Sequence, residues 1–235
     1  MSLEEEAIAF AKKHKVEISR RLTDVSVYPP SEAPITVFMA GSPGAGKTEY
    51  SKNLLSLIAR NPGHHPVRID SDEIRGEIPG YNGKNSSSVQ GAVSIIYREM
   101  YERTLKNKQT VLLDGTFSHY DKADENIRRS LKRGRQIFIF YVYQQPDVAW
   151  RFTQAREKVE GRNIPKEAFV DQFFGARQTV EQVRKDFSDQ VSILLVRENY
   201  LTNEVESVIK ILPGGPGLDE YLPDRYTKEV VFNIL

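Results

Sequence analysis

Apolar residues fall into short runs separated by amphipathic stretches, and the two alternate along most of the chain. Residues 4–22 place Ala7, Ile8, Phe10, Ala11, Val16 and Ile18 on one rough apolar face with charges between them, which predicts a helix. Tyr28-Pro29-Pro30 and Pro34 break the chain into a linker. The run 35–40, Ile-Thr-Val-Phe-Met-Ala, is almost wholly apolar and rich in strand formers, the pattern of a parallel strand covered on both faces. Further strands are predicted at 67–69, 110–113, 136–143 and 191–196, and helices at 47–59, 87–107, 121–132, 146–159 and 166–187. Val89, Val93, Ile96, Met100 and Leu105 form the inner face of the 87–107 helix. The segment 79–86 reads as a loop from its Gly, Pro and Asn content.

Strands alternating with helices imply an α/β fold, a parallel sheet flanked by helices on both sides, here with an N-terminal helix in front. The expected division is 1–34 as helix and linker, 35–212 as the main domain and 213–235 as a C-terminal extension packed on it. The extension opens on the turn-rich Leu212-Pro213-Gly214-Gly215-Pro216-Gly217, and 218–235 reads as a short outer helix. A length of 235 residues suits one such domain.

Charge and composition narrow the partners. With 33 basic against 32 acidic residues the formal net charge is +1, which gives no global pull toward nucleic acid or an anionic membrane. The absence of cysteine removes disulfides, thiolate metal sites and a cysteine nucleophile. No apolar run reaches the roughly 20 residues that cross a bilayer. The acidic start Met1-Ser2-Leu3-Glu4-Glu5-Glu6 lacks the basic and apolar parts of a signal peptide, so a cytoplasmic location is expected.

The most specific signal is Gly41-Ser42-Pro43-Gly44-Ala45-Gly46-Lys47-Thr48, which matches G-x-x-x-x-G-K-[ST] at every required position. It follows an apolar strand and opens a helix, the context in which such a loop binds phosphates. Glycines let the backbone wrap a diphosphate, and the helix start adds its positive end. Lys47 is expected to reach the β and γ phosphates of ATP or GTP, and the Thr48 hydroxyl to ligate Mg²⁺. Glu49 completes the segment 41–49 counted as nucleotide-binding. Asp70 and Asp72 end the second strand, where doubly wound sheets bind ligands, and a carboxylate there could take the proton of an attacking hydroxyl. The competing reading of Asp72 is a helix N-cap. Asp114 ends another apolar strand and is expected to order Mg²⁺ and its waters; the competing reading is a turn residue in Asp114-Gly115. Arg151, Arg156, Lys158, Arg162 and Lys166 form a dense basic stretch, either a solvated helix face or a source of arginines for a transferred phosphoryl group. Gly161-Arg162-Asn163-Ile164-Pro165 reads as a loop between two helices. His64 and His65 lack a second pair at metal-ligand spacing and read as an exposed turn. The loop 79–88 carries Tyr81, Asn82, Asn85 and three serines, donors and acceptors suited to a polar sugar.

In this order the motifs resemble the zeta toxin family of bacterial toxin–antitoxin systems. The resemblance rests on Ala40 through Glu49, Ile69-Asp70-Ser71-Asp72, Pro79-Gly80-Tyr81, Leu113-Asp114-Gly115-Thr116 and the two arginines Arg156 and Arg162. The best-known members have Glu-Gly-Thr where this chain has Asp114-Gly115-Thr116. The resemblance implies a P-loop kinase that phosphorylates the amino-sugar 3′-hydroxyl of UDP-N-acetylglucosamine or a related UDP-sugar. It implies Asp72 as general base, Arg156 and Arg162 as a γ-phosphate clamp, and Glu99 on the 87–107 helix as a substrate contact. Thr116 and the loop residues Tyr81 and Asn82 join the substrate set, and an antitoxin protein is the implied partner. Two other readings fit the same residues: a P-loop kinase of another metabolite or of a polynucleotide 5′-hydroxyl, and a nucleotide-gated binding module without transfer chemistry.

Overall fold

The computed structural model describes residues 2–60, 65–161, 163–199, 204–222 and 225–235. Five parallel strands form the body of one sheet: β1 (Ile35–Ala40), β2 (Val67–Asp70), β3 (Val111–Asp114), β4 (Gln136–Tyr143) and β5 (Ser192–Asn199). A sixth, β6 (Glu204–Ile211), pairs antiparallel with β5, and the order across the sheet is β2-β3-β1-β4-β5-β6. The strands are apolar because the sheet is covered on both faces: all but the first residue of β1 is buried, and β3 is buried throughout. The strand β6 was not expected from the sequence. Its residues 205, 206, 208 and 210 are exposed, so as an edge strand it never carries the continuous apolar run of its neighbours.

Helices α1 (Leu3–Leu22), α2 (Lys47–Ile58), α3 (Ser71–Arg75), α4 (Gln90–Lys106), α5 (Tyr120–Leu131), α6 (Pro146–Glu160), α7 (Lys166–Phe187) and α8 (Lys228–Ile234) surround the sheet. All five residues of the expected inner face of α4 are buried. Along α7, Phe169, Val170, Phe173, Ala176, Val180, Val183 and Phe187 recur at helical spacing and fill the core against β4. Trp150 of α6 meets Phe169 edge-on, with ring centroids 5.1 Å apart. The C-terminal residues Leu218, Leu222 and Val231 are buried in the same core, and Lys228 of α8 pairs with Asp171 of α7 at 2.7 Å.

A capping box starts α1: Ser2 Oγ accepts from the Glu5 N–H, and Glu5 Oε2 from the Ser2 N–H. The helix lies along α4 with Ala7 and Ala11 fully covered, and the small side chains let the two backbones approach. The following linker is tied to the sheet by polar contacts. Gln109 Nε2 donates to the carbonyls of Thr23 and Tyr28 at 3.0 and 2.7 Å. Arg135, 3% exposed, donates to the carbonyls of Ile35 and Gln109 and to Thr36 Oγ1. Burial lowers the Arg135 pKa to about 10.

The close approach of α1 and α4 leaves no room for added volume. Ala11→Leu is expected to destabilise the chain by about 1–3 kcal/mol in urea unfolding, while Lys12→Ala, at an exposed neighbour, stays within about 0.5 kcal/mol. Equal stability of both variants would show that α1 is loosely attached.

Candidate active site

The segment 41–46 turns from β1 into α2 at the C-terminal edge of the sheet. Gly46 caps α2 with φ +88°, a conformation that glycine adopts at little cost. Having no side chain, it makes no side-chain cap at the start of α2, where the positive helix end favours an anion. Gly44, at φ +70°, is covered by α6: a Cβ there would stand 2.0 Å from the Ala149 carbonyl oxygen and 2.8 Å from Thr153 Oγ1. Lys47 Nζ donates to the Ser42 carbonyl at 2.6 Å, across the turn of its own loop. The Gly41 N–H bonds the Thr116 carbonyl at 3.1 Å, tying the loop to the segment after β3.

Three carboxylates come together beside this loop. Asp70 and Asp114 are register partners at the ends of β2 and β3. Arg68, on the same face of β2 as Asp70, donates to Asp70 Oδ2 at 2.6 Å and to Asp114 Oδ2 at 2.7 Å, and also pairs with Glu73. Ser51 Oγ of α2 donates to the same Asp114 oxygen at 2.8 Å. Burial works against the Arg68 charge, but Asp70, Asp114 and Glu73 outweigh it and its pKa is raised. Burial pushes Asp70 up to about 6, against the opposing pull of the Asp72 N–H and Arg68. Asp70, not Asp72, caps α3: its Oδ1 accepts from the Asp72 N–H at 2.8 Å. The Asp72 carboxylate instead lies between two arginines, with Arg75 on Oδ1 and Arg156 Nη2 3.7 Å from Oδ2.

These groups line a cleft of about 580 Å³. Residues 43–49, including Lys47 and Thr48, form one wall, and Asp70, Asp72, Asp114 and Thr116 another, with Arg156 of α6 and Gln144 at the end of β4 also lining it. A second cavity of about 320 Å³ adjoins it through shared residues, among them Ser71, Gln90, Asp114 and Thr116. Phe38, Tyr97 and Phe117 give that cavity apolar walls, Lys122, Arg98 and Arg129 supply positive charge, and His119 adds an imidazole. Thr48 and Asp114 are hard oxygen donors on one cleft, which fits Mg²⁺, an ion that takes few protein ligands and completes its shell with phosphate and water. Among the described residues no group of three or more His, Asp or Glu gathers as a metal cage.

Other expected site residues lie apart from both cavities. Glu99 faces α1, where it pairs with Lys15 at 3.1 Å; the face of α4 that lines the cavities carries Gln90, Ser94 and Tyr97. Tyr81 packs against the main core, and Asn82 sits in a local turn, its N–H bonded to Asn85 and its side chain to the Lys84 N–H. Their loop folds back toward the start of α1, since a Cβ at Gly80 would come within 3.2 Å of Leu3. The loop end Gly161 is described, whereas Arg162 and His64 lie outside the described residues. His65 is exposed. Arg68, Arg75, Ser51 and Gln90 were not singled out from sequence. The alternation Val67-Arg68-Ile69-Asp70 carries a signal for Arg68, and the i, i+3 spacing of Asp72 and Arg75 one for Arg75. Nothing in the sequence marks Gln90.

Residues 18–206 match the zeta toxin family. Among solved structures, one from the PezAT chromosomal toxin–antitoxin system of Streptococcus pneumoniae is 18% identical and superposes with a TM-score of 0.66 over 88% of this chain and 83% of that one. AvrRxo1-ORF1:AvrRxo1-ORF2 with sulphate ions is 14% identical, with a TM-score of 0.59 over 91% of this chain and 67% of that one. The complex with ATP matches at 14% identity and the same TM-score over 90% and 67%. At these identities the structural likeness is one of fold. A search of curated proteins gave no match.

The contact between α6 and the glycine loop is testable by stability alone. Gly44→Ala is expected to cost about 1–3 kcal/mol through overpacking against Ala149 and the strained φ. Gly115→Ala, where a Cβ would meet nothing within 4 Å, serves as the control. Matching thermal melts for the two variants would contradict the packing described.

Proposed function

The chain belongs to the zeta toxin family of P-loop kinases, and we propose that it transfers the γ-phosphate of ATP to a hydroxyl of a UDP-amino sugar such as UDP-N-acetylglucosamine. The observation that carries this reading is the pair of adjoining cavities, one bordered by the glycine loop and Asp72 and the other by polar, cationic and aromatic side chains, meeting at Ser71, Gln90 and Asp114. A phosphate donor and a hydroxyl acceptor need such an arrangement, because transfer is catalysed mainly by positioning and charge. Lys47 would exchange its contact with Ser42 for the β and γ phosphates. Thr48 and Asp114 would hold Mg²⁺, which neutralises developing phosphate charge when bound. Asp72 would take the proton as the acceptor oxygen forms its bond to the γ-phosphorus and the bond to the ADP oxygen breaks. Arg156, and Arg162 by family resemblance, would stabilise charge on the transferred group. In the second cavity Lys122, His119 and Arg98 suit a sugar-nucleotide diphosphate, and Tyr97 and Phe117 suit the flat face of a ring. An antitoxin protein is the partner that goes with this reading.

Turnover assays with Mg·ATP and a panel of UDP-sugars test it, with ADP release and sugar phosphate as paired readouts. Asp72→Asn is expected to keep nucleotide binding and lower transfer by about 10²–10⁴; Asp70→Asn, at a capping position, is expected to lose much less. A reversed ranking would move the base to Asp70, whose raised pKa suits that role. Lys47→Ala is expected to lose both Mg·ATP binding in calorimetry and turnover. Transfer to an oligonucleotide 5′-hydroxyl, with none to any UDP-sugar, would keep the kinase and discard the sugar acceptor.

A further inference from the structure

Gln90 stands where the two cavities meet and lines both of them. It is the first residue of α4, with its side chain exposed to the cleft. Its amide has one contact that fixes which way it points. Arg75 Nη2 donates to Gln90 Oε1 at 2.5 Å, and Arg75 is 5% exposed. A guanidinium has no acceptor, so it can bind only the oxygen end of the amide. The Nε2 end is thereby turned away from Arg75, and among the described residues no protein acceptor takes its hydrogens. The same Arg75 also holds Asp72 Oδ1. One buried cation thus fixes both the candidate base and an amide donor at the cavity junction.

From this geometry, and resting on the kinase reading above, we propose that Gln90 is a specificity-determining residue and Arg75 its positioning residue. The Gln90 N–H groups read an acceptor oxygen adjacent to the hydroxyl that is phosphorylated. On a 2-acetamido sugar phosphorylated at its 3-hydroxyl, the acetamido carbonyl is such an oxygen. A free 2-ammonium group at that place meets two N–H donors and is rejected. The chemistry selects N-acylated over free-amine sugar nucleotides.

Gln90→Glu tests this, since the substitution keeps size and the contact to Arg75 but replaces the donors with a carboxylate. The readout is the ratio of kcat/KM for UDP-N-acetylglucosamine to that for UDP-glucosamine. Relative to wild type the ratio is expected to fall by about tenfold or more, the scale of one lost hydrogen bond plus a new favourable charge contact. Mg·ADP affinity by calorimetry is expected to stay unchanged. Arg75→Lys, which loses the two-armed hold, is expected to lower the same ratio, and to lower it no further when combined with Gln90→Glu. Any loss of kcat through Asp72 cancels in the ratio, so a purely structural role for Arg75 would leave it unmoved. An unchanged ratio in Gln90→Glu, in an enzyme active on UDP-amino sugars, overturns the assignment of Gln90 and leaves the kinase reading intact. A wild-type chain that neither binds nor phosphorylates any UDP-amino sugar overturns both.

Discussion

The ion pairs of Arg68 hold the site together. Parallel pairing of β2 with β3 sets Asp70 and Asp114 side by side at the sheet edge, both largely withdrawn from solvent. Two carboxylates so placed repel, and low exposure strengthens the repulsion. Arg68 bonds both and reaches Glu73 as well, so the cluster is a paired network instead of a set of bare charges. Its consequences spread outward. Asp70 is held where it caps α3, and α3 in turn carries Asp72 and Arg75 into the cleft. Asp114 is held on one oxygen by Arg68 and Ser51, which joins β3 to the helix that starts at the phosphate loop.

The sequence marked the elements that repeat a strong local pattern. The glycine loop was legible because each of its residues answers a backbone or charge requirement, and the structure builds it between β1 and α2. The buried strands and the inner face of α4 were legible from periodicity. The strand β6 was not, because an exposed edge has no need of a continuous apolar run. At the cluster, spacing alone left Asp70 and Asp72 interchangeable as cap and cleft residue; only the backbone decides that Asp70 takes the Asp72 N–H. Glu99 was assigned by family resemblance alone, but the neighbouring faces of α4 point to different places, and Glu99 meets Lys15. Gln90 and Arg75 are brought together across 15 residues by the turn between α3 and α4. No composition or period encodes that meeting.

The fold and the chemistry are therefore linked through a few contacts. Packing of α6 onto Gly44 closes one side of the cleft and delivers Arg156 to Asp72. Gly175 of α7 lies under the Ser118 carbonyl, where an added Cβ would stand at 2.7 Å, so α7 supports the segment 115–118 that borders both cavities. The site is assembled from the ends of β2, β3 and β4 and the starts of α2 and α4.

The central claim is that donor and acceptor occupy the two adjoining cavities at the same time. Isothermal titration calorimetry of Mg·ADP and UDP-N-acetylglucosamine, each added alone and then to the complex with the other, addresses it most directly. One molecule of each bound together in a ternary complex is the predicted result. Mutual exclusion of the two ligands, or a sugar nucleotide that does not bind at all, would contradict it.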